Sequence, residues 1–283
     1  MLEPEQMGSK DKFWYREPVE GARMWLFKYP QPGTGQHWAE KIATSICERL
    51  GISHARVELC QFQGVQGSAT ESFVRDGLNL FHGNQLLVKT FAGYDPRATF
   101  RHSGHTLTAI FEAIGKAFIT PDYRQKARIA MAGYLVLDAL IGNTDRHHEN
   151  WGLLLRRAGD QWRGWLAPTF DHASSLGREL HDERRRRLLV NRRVPAYSEN
   201  GHGGIYWTDT DARGPSPLEL VRRAASTWPV IFGPALERIR GLSKTDFEAI
   251  IDRIPGEWMT PVAREFTLAL LCYNLEQLRH LLP

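Results

Sequence analysis

The stretch that most constrains this chain is a change of character near residue 142. Residues 129–142 are an apolar run with helical periodicity, broken by one acid, Asp138. Eight polar residues follow, Asn143-Thr-Asp-Arg-His-His-Glu-Asn150, and then Trp151-Gly-Leu-Leu-Leu155, which reads as a strand. The run is too short to span a membrane and carries Asp138, so it reads as a buried helix. A short polar loop held by a helix at one end and a strand at the other presents its side chains reproducibly. Catalytic groups tend to sit in such loops.

The next forty residues give the loop chemical partners. Residues 151–157 and 163–169 read as two strands around a turn at 158–160, with Asp171 ending the second. That hairpin would return Asp171 to the side of Asn150. A carboxylate and an amide oxygen placed together suit Mg²⁺, a hard cation that takes oxygen ligands. Asp145, within the same loop, could orient a hydroxyl and accept its proton. This is the arrangement phosphoryl transfer requires. The competing account is a solvated polar turn and an unrelated aspartate.

The remaining periodicities divide the chain. Residues 13–29 read as a hairpin with a Pro/Gly break at 17–21, its second strand spanning 22–28. Trp38, Ile42, Ile46 and Leu50 recur every four residues, and Gly51 stops that helix. Residues 56–63 and 69–74 read as strands, and 72–84 as a link with Gly77 and Gly83. Helices are expected over 106–118, 123–142, 217–226, 228–240, 244–253 and 261–282. The fold class is therefore α+β in two lobes. Residues 1–75 form a small strand-rich lobe, residues 76–283 form a larger helical one, and the ligand lies between them.

The segment from Ile141 to His147 with Asn150, followed by Ala167, Pro168, Asp171 and Ser174, resembles the HipA-like serine/threonine kinases of bacterial toxin–antitoxin systems. The likeness runs over most of residues 8–280, weakly outside these segments. It implies a protein-kinase-like two-lobed fold that uses ATP and Mg²⁺. By that resemblance Asp145 is the catalytic base, Asn150 and Asp171 bind the metal, and His147 braces the loop. Met24-Trp-Leu-Phe-Lys28 is a short apolar strand whose terminal lysine can reach the ATP phosphates. Glu40, where the family carries its helix glutamate, would hold Lys28, with Glu48 the weaker alternative. Gly8, Ser9 and Lys10 fall where the family covers the phosphates, Ser9 being the candidate for autophosphorylation. A plain N-terminal tail is the other reading of those residues. Glu71 and Phe73 lie by position at the adenine-gripping hinge, with Phe73 equally readable as core. Asn143 is expected to bond the loop's own backbone. Phe170-Asp171-His172 stands where eukaryotic kinases carry Asp-Phe-Gly, which points away from that branch.

Composition bears on partners. There are 36 basic against 32 acidic side chains, a net charge of +4, which suits an anionic ligand. Arginines cluster within 183–193, where a kinase meets its protein substrate; they could grip an acidic or phosphorylated partner or a tRNA-bound enzyme, and a solvated, mobile basic loop is the other reading. Residues 201–207, with three glycines, read as mobile too. Cys47, Cys60 and Cys272 are too few and too spread for a disulfide framework. The histidines lack zinc-site spacing. No leader or membrane span is visible, so a cytoplasmic location is expected. The expected partners are a protein substrate and an antitoxin protein. Direct nucleic-acid binding is not expected. Longer family members carry a further N-terminal domain that this sequence does not show. The rival readings are a small-molecule kinase of the same fold, a pseudokinase, and a basic RNA-binding module.

Overall fold

The computed structural model describes residues 2–4, 11–16, 23–99, 101–118 and 120–282, with residues 2–4 and 161–162 as backbone alone. Gly8, Ser9 and Lys10 lie outside the described residues. Among the described residues, β1 (Leu2–Pro4), β2 (Lys12–Arg16), β3 (Met24–Lys28), β4 (Val57–Phe62) and β5 (Val65–Glu71) make one antiparallel sheet. Its strand order is β1-β2-β3-β5-β4. Phe13 opposes Phe27 in the register, and their rings stack at 5.2 Å beside Phe62. Helix α1 (Gln36–Leu50) enters between β3 and β4 and packs on β4 and β5. Trp38, Ile42, Ile46 and Leu50, spaced at four, are all buried. Gly51 ends the helix in the left-handed region at φ 63°, where a side chain would strain the backbone.

The larger part begins with β6 (Asn79–His82), α2 (Gly83–Thr90), α3 (Leu107–Ala117), α4 (Pro121–Ile141), β7 (Gly152–Ala158) and β8 (Gln161–Leu166). It continues through α5 (Asp182–Val190), α6 (Val194–Glu199), α7 (Pro217–Thr227), α8 (Pro229–Glu237), α9 (Lys244–Ile251) and α10 (Pro261–Arg279). Strands β6, β7 and β8 form a second antiparallel sheet in that order. Helix α4 is the axis, with α3, α7, α8 and α10 packed around it. Its second half, from Met131 to Ile141, is buried throughout and apolar around its circumference except at Asp138. No helix among the described residues is long and apolar enough to cross a membrane.

The structure departs from the sequence reading in four places. The link over 72–84 contains β6, whose Phe81 pairs with Leu153. Four residues are too few for alternation to reveal a strand. The hairpin ends at Leu166, so Asp171 is not a strand end. Pro168 has no N–H to continue the ladder, and the backbone turns instead to the small lobe. There Thr169 N–H donates to the Ser53 carbonyl and Ala55 N–H to the Thr169 carbonyl, each at 2.9 Å. The arginine-rich segment is helical, as α5 and α6. Asp182 and Glu183 in the first turn of α5 favour that helix electrostatically. Arg185 is buried over the Trp38 ring at 5.7 Å and donates to the Gly177 carbonyl at 3.0 Å. Residues 201–207 are packed in place. Gly203 N–H bonds the Pro215 carbonyl at 2.9 Å and Tyr206 N–H the His105 carbonyl at 3.0 Å. A Cβ on Gly204 would lie 3.1 Å from the Arg146 backbone.

Two buried side chains hold the region after α4. Gly142, at φ 65°, closes the helix by donating to the Asp138 carbonyl. Eight residues beyond Asp138, Arg146 turns back and grips its carboxylate with two bonds, Nε to Oδ2 at 2.7 Å and Nη2 to Oδ1 at 2.8 Å. Its remaining nitrogen, Nη1, donates to the carbonyls of Asn150 at 2.6 Å and Phe170 at 3.3 Å. Both side chains are under 5% exposed, at 3% and 4%. His105 is the second clamp. Trp151 Nε1–H donates to His105 Nε2 at 3.1 Å, which leaves the ring proton on Nδ1 for the Gly204 carbonyl at 2.8 Å. That arrangement requires a neutral ring. Burial pushes the His105 pKa down to about 3, helped by neighbouring histidines and opposed by the Gly204 bond.

Two outcomes follow from these clamps. Asp138→Ala strands a buried guanidinium and lowers stability by about 3–5 kcal/mol, whereas Asp138→Leu with Arg146→Met recovers most of that loss. Urea midpoints at pH 7 check it, and a single-variant loss below about 1 kcal/mol would refute the role given to the pair. His105 is held neutral in the fold but protonates near 6.5 when unfolded. Its contribution is therefore whole above pH 6.5 and declines as acid is added, by up to about 1.4 kcal/mol per pH unit. Urea unfolding at pH 7, 6 and 5 should show that slope, and His105→Asn should flatten it.

Candidate active site

Lys28, the last residue of β3, points across the gap between the two sheets. Its Nζ lies 3.1 Å from Asp171 Oδ1, with the lysine side chain 15% and the aspartate 30% exposed. Burial alone would lower the Lys28 pKa, but Asp171, Glu40 and Asp145 together raise it above the ordinary value. Three carboxylates from three parts of the chain are thus gathered around one ammonium.

Asp171 sits in the left-handed region at φ 57°, uncommon for a residue with a side chain. Its neighbours fix that conformation from both sides. Phe170 packs on Phe73 at 5.5 Å and edge-on to His82 at 6.1 Å. His172 is fully buried and spans Thr169 Oγ1 at 2.9 Å and Glu40 Oε1 at 3.3 Å. Burial alone would raise the Glu40 carboxyl. The His172 hydrogen bond, its charge and the Lys28 ammonium outweigh this and hold Glu40 below the usual carboxylate range.

Asp145 is positioned by atoms on every side of it. Its N–H donates to Asn143 Oδ1 at 3.1 Å, while Asn143 Nδ2 donates to Asp138 Oδ1 at 2.8 Å. Its Oδ2 accepts from Ser174 Oγ at 3.1 Å, and Ser174 in turn accepts from Arg178 Nη2 at 3.1 Å. Asn150 Nδ2 donates to the Asp145 carbonyl at 2.7 Å. That bond fixes the amide so that Oδ1 is the atom left for a ligand. His147 links the turn, its N–H donating to the Asp145 carbonyl at 2.8 Å and its Nδ1 accepting from Glu149 N–H at 3.2 Å.

The expected residues that lie among the described ones can now be placed. Lys28, Glu40, Asp145, His147, Asn150 and Asp171 lie in one region where the two lobes meet. Glu40 does not pair directly with Lys28 as expected. Its hydrogen bond goes to His172, Asp171 takes the lysine, and Glu40 Oε2 is buried without a partner among the described residues. Glu71 is not free to grip a base through its N–H, which donates to the Arg56 carbonyl at 2.8 Å. Its carboxylate pairs with Arg23 and Arg56. Phe73 meets Phe170. Three residues that hold the site carried no role in the sequence reading: Arg146, His172 and Ser174. Asp138 was the available signal, since an acid inside an apolar helix needs a cation.

The donor set fits the groups that the resemblance implies. Asp171 and Asn150 Oδ1 offer the hard oxygens Mg²⁺ takes, and Lys28 offers a cation to phosphate. Comparison with solved structures finds the same fold elsewhere. The Helicobacter pylori proinflammatory kinase CtkA superposes with a TM-score of 0.79 and 21% identity, covering 99% of this chain and 95% of that one. The HipA protein of a Shewanella oneidensis MR-1 toxin–antitoxin system, solved with HipB and operator DNA, gives 0.63 and 12%, covering 98% and 67%. No curated protein matches the chain. The fold is therefore kinase-like, a small antiparallel sheet on a helical body. Residues 6–224 match the family described as HipA-like C-terminal domain, so the chain belongs to that family.

Proposed function

We propose that this protein is an ATP- and Mg²⁺-dependent serine/threonine protein kinase whose acceptor is another protein or its own N-terminal segment. Family membership and the kinase-like fold support a kinase-type function. The single observation that carries the reading is the Lys28–Asp171 contact at 3.1 Å beside Asp145 and Asn150. A cation from the small lobe meets a carboxylate from the large one, and a phosphate chain taken by the first and a divalent ion taken by the second would replace that direct contact. The lobe boundary after residue 75 belongs to the same proposal.

In this mechanism Lys28 binds the α/β-phosphates of ATP. Asn150 Oδ1 and the Asp171 carboxylate would hold Mg²⁺, which neutralises phosphate charge when bound. Ser174 and Asn143 hold Asp145, and its second carboxylate oxygen receives the acceptor hydroxyl. The acceptor oxygen bonds the γ-phosphorus as the bond to the β-phosphate oxygen breaks. ADP leaves, and the hydroxyl proton passes to Asp145. Glu40 and Lys28 stay in electrostatic contact while His172 anchors the carboxylate. His147 braces the turn. The backbone beyond Glu71, with Phe73 at its side, would border the adenine. Ser9, flanked by Gly8 and Lys10, is the proposed site of self-modification. A protein substrate and an antitoxin protein are the proposed partners.

Intact mass before and after incubation with Mg²⁺-ATP tests this. Wild-type protein should gain about 80 Da per phosphate on Ser9 or transfer phosphate to a serine peptide. Asp145→Ala should lose about 10²–10⁴ in rate while still binding ATP, as read by thermal shift. Asp171→Ala should abolish transfer and the Mg²⁺ dependence of the ATP-induced shift. Wild-type protein showing neither transfer nor an ATP-induced shift would overturn the proposal.

A further inference from the structure

The positive charge of this chain is concentrated in one place. Residues 182–193 carry six arginines against two acids, a net +4 that equals the charge of the whole chain. The helices sort these arginines by role. Arg185 is structural, buried on Trp38 and bonded to Gly177 and Asp182. Arg184, Arg186, Arg187, Arg192 and Arg193 are all exposed. Of these, Arg184 on α5 and Arg193 at the start of α6 line a cavity of about 580 Å³. Arg178, from the segment after Asp171, joins them from a third element.

This cavity touches the reacting region. Thr144 and Ser174 line it, the first adjacent to Asp145 in sequence and the second bonded to Asp145 Oδ2. A further cavity of about 580 Å³ includes Asp145 itself and meets the first at Thr144 and His202, with Arg101 and Arg213 on its wall. The two make a trough that passes the carboxylate proposed to receive the acceptor hydroxyl. Within the arginine cavity, Glu179 already accepts from Tyr197 Oη at 2.8 Å. Arg178 is held by Gln31 and Ser174. Arg184 and Arg193 make no side-chain ion pair or hydrogen bond among the described residues. Arg222, Arg223 and Arg240 are matched by Glu199, Glu219 and Glu237, while Arg156, Arg163 and Arg253 are exposed and, among the described residues, unpaired like Arg184 and Arg193, so what sets Arg184 and Arg193 apart is the cavity they share beside Ser174. Two unmatched guanidinia aimed into a concave wall are arranged for an oxyanion.

We propose that Arg178, Arg184 and Arg193 form a specificity pocket for a carboxylate or phosphate on the acceptor peptide, a few residues from the hydroxyl that Asp145 receives. The inference rests on the kinase reading above and adds the substrate class: acidic or already phosphorylated serine/threonine segments. A peptide fits better than RNA because Tyr197 is the one phenol or indole ring among the residues lining the cavity and is already engaged, which leaves a base only the His202 imidazole to stack on. Tyr197 is spent on Glu179 and packs edge-on against Phe266 at 5.3 Å.

The test uses the full chain and four probes of equal length. Three are fluorescein-labelled serine peptides flanked by Asp/Glu, by phosphoserine or by neutral residues, and the fourth is an RNA oligonucleotide. Binding is read by anisotropy and phosphate transfer by steady-state kinetics, for wild type and for Arg184→Ala with Arg193→Ala. The acidic or phosphorylated peptide should bind best, and comparing those two arms identifies which oxyanion is preferred. The double variant should raise KM for it by about tenfold or more per arginine, with kcat and the neutral peptide almost unchanged. Equal KM in the two proteins, or preference for the neutral peptide, overturns the proposal. Tighter binding of RNA, lost in the double variant, overturns it in favour of a nucleic-acid surface. Failure of the kinase reading shows separately, as absent transfer with every probe and no ATP-induced shift. The anisotropy arms still decide the pocket in that case.

Discussion

The guanidinium of Arg146 is the interaction on which the rest of the centre depends. Two of its nitrogens hold Asp138 in the last turns of α4, and the third reaches the backbone at Asn150 and Phe170. One side chain thus joins the central helix, the end of the polar loop and the residue before Asp171. Because Asp138 and Arg146 are almost fully buried, neither charge has water as an alternative partner. The loop therefore has one well-determined conformation. Asn143 extends the same network, taking Asp138 Oδ1 on one side and the Asp145 N–H on the other.

A second support comes from the small lobe. Thr169 exchanges backbone hydrogen bonds with Ser53 and Ala55, and Glu40 on α1 meets His172. The far end of α1 is tied as well, by Arg49 to Asp246 and by Arg238 to the Leu50 and Gly51 carbonyls. Helix α1 shares one continuous hydrophobic core with α4. The lobe that carries Lys28 is thus fastened to the body at both ends of this helix.

Much of this was legible in the sequence because it rests on local rules. Gly51 and Gly142 announced two helix ends, and both adopt the left-handed conformation that glycine tolerates. The apolar run, the polar loop and the following strand reappear as α4, the catalytic-loop candidate and β7. What escaped depended on partners far away in the chain. β6 exists because β7 is there to pair with it. Asp171 is placed by Ser53, Ala55 and Glu40, all more than a hundred residues earlier. The arginine run looked like solvated charge, and only Trp38 beneath Arg185 shows one residue of it to be core. The direct lysine-to-glutamate pair expected from the resemblance is absent because Asp171 takes Lys28 and His172, whose role was not read, takes Glu40.

Phe170, Asp171 and His172 send three consecutive side chains in three directions. The first goes to an aromatic contact, the second to an ion pair, and the third to a buried hydrogen-bond chain. The left-handed backbone at Asp171 sets the angles between the three, so a change of conformation there would turn Phe170 and His172 relative to each other. The three contacts share one backbone conformation, so the environment of each side chain constrains where the other two can point.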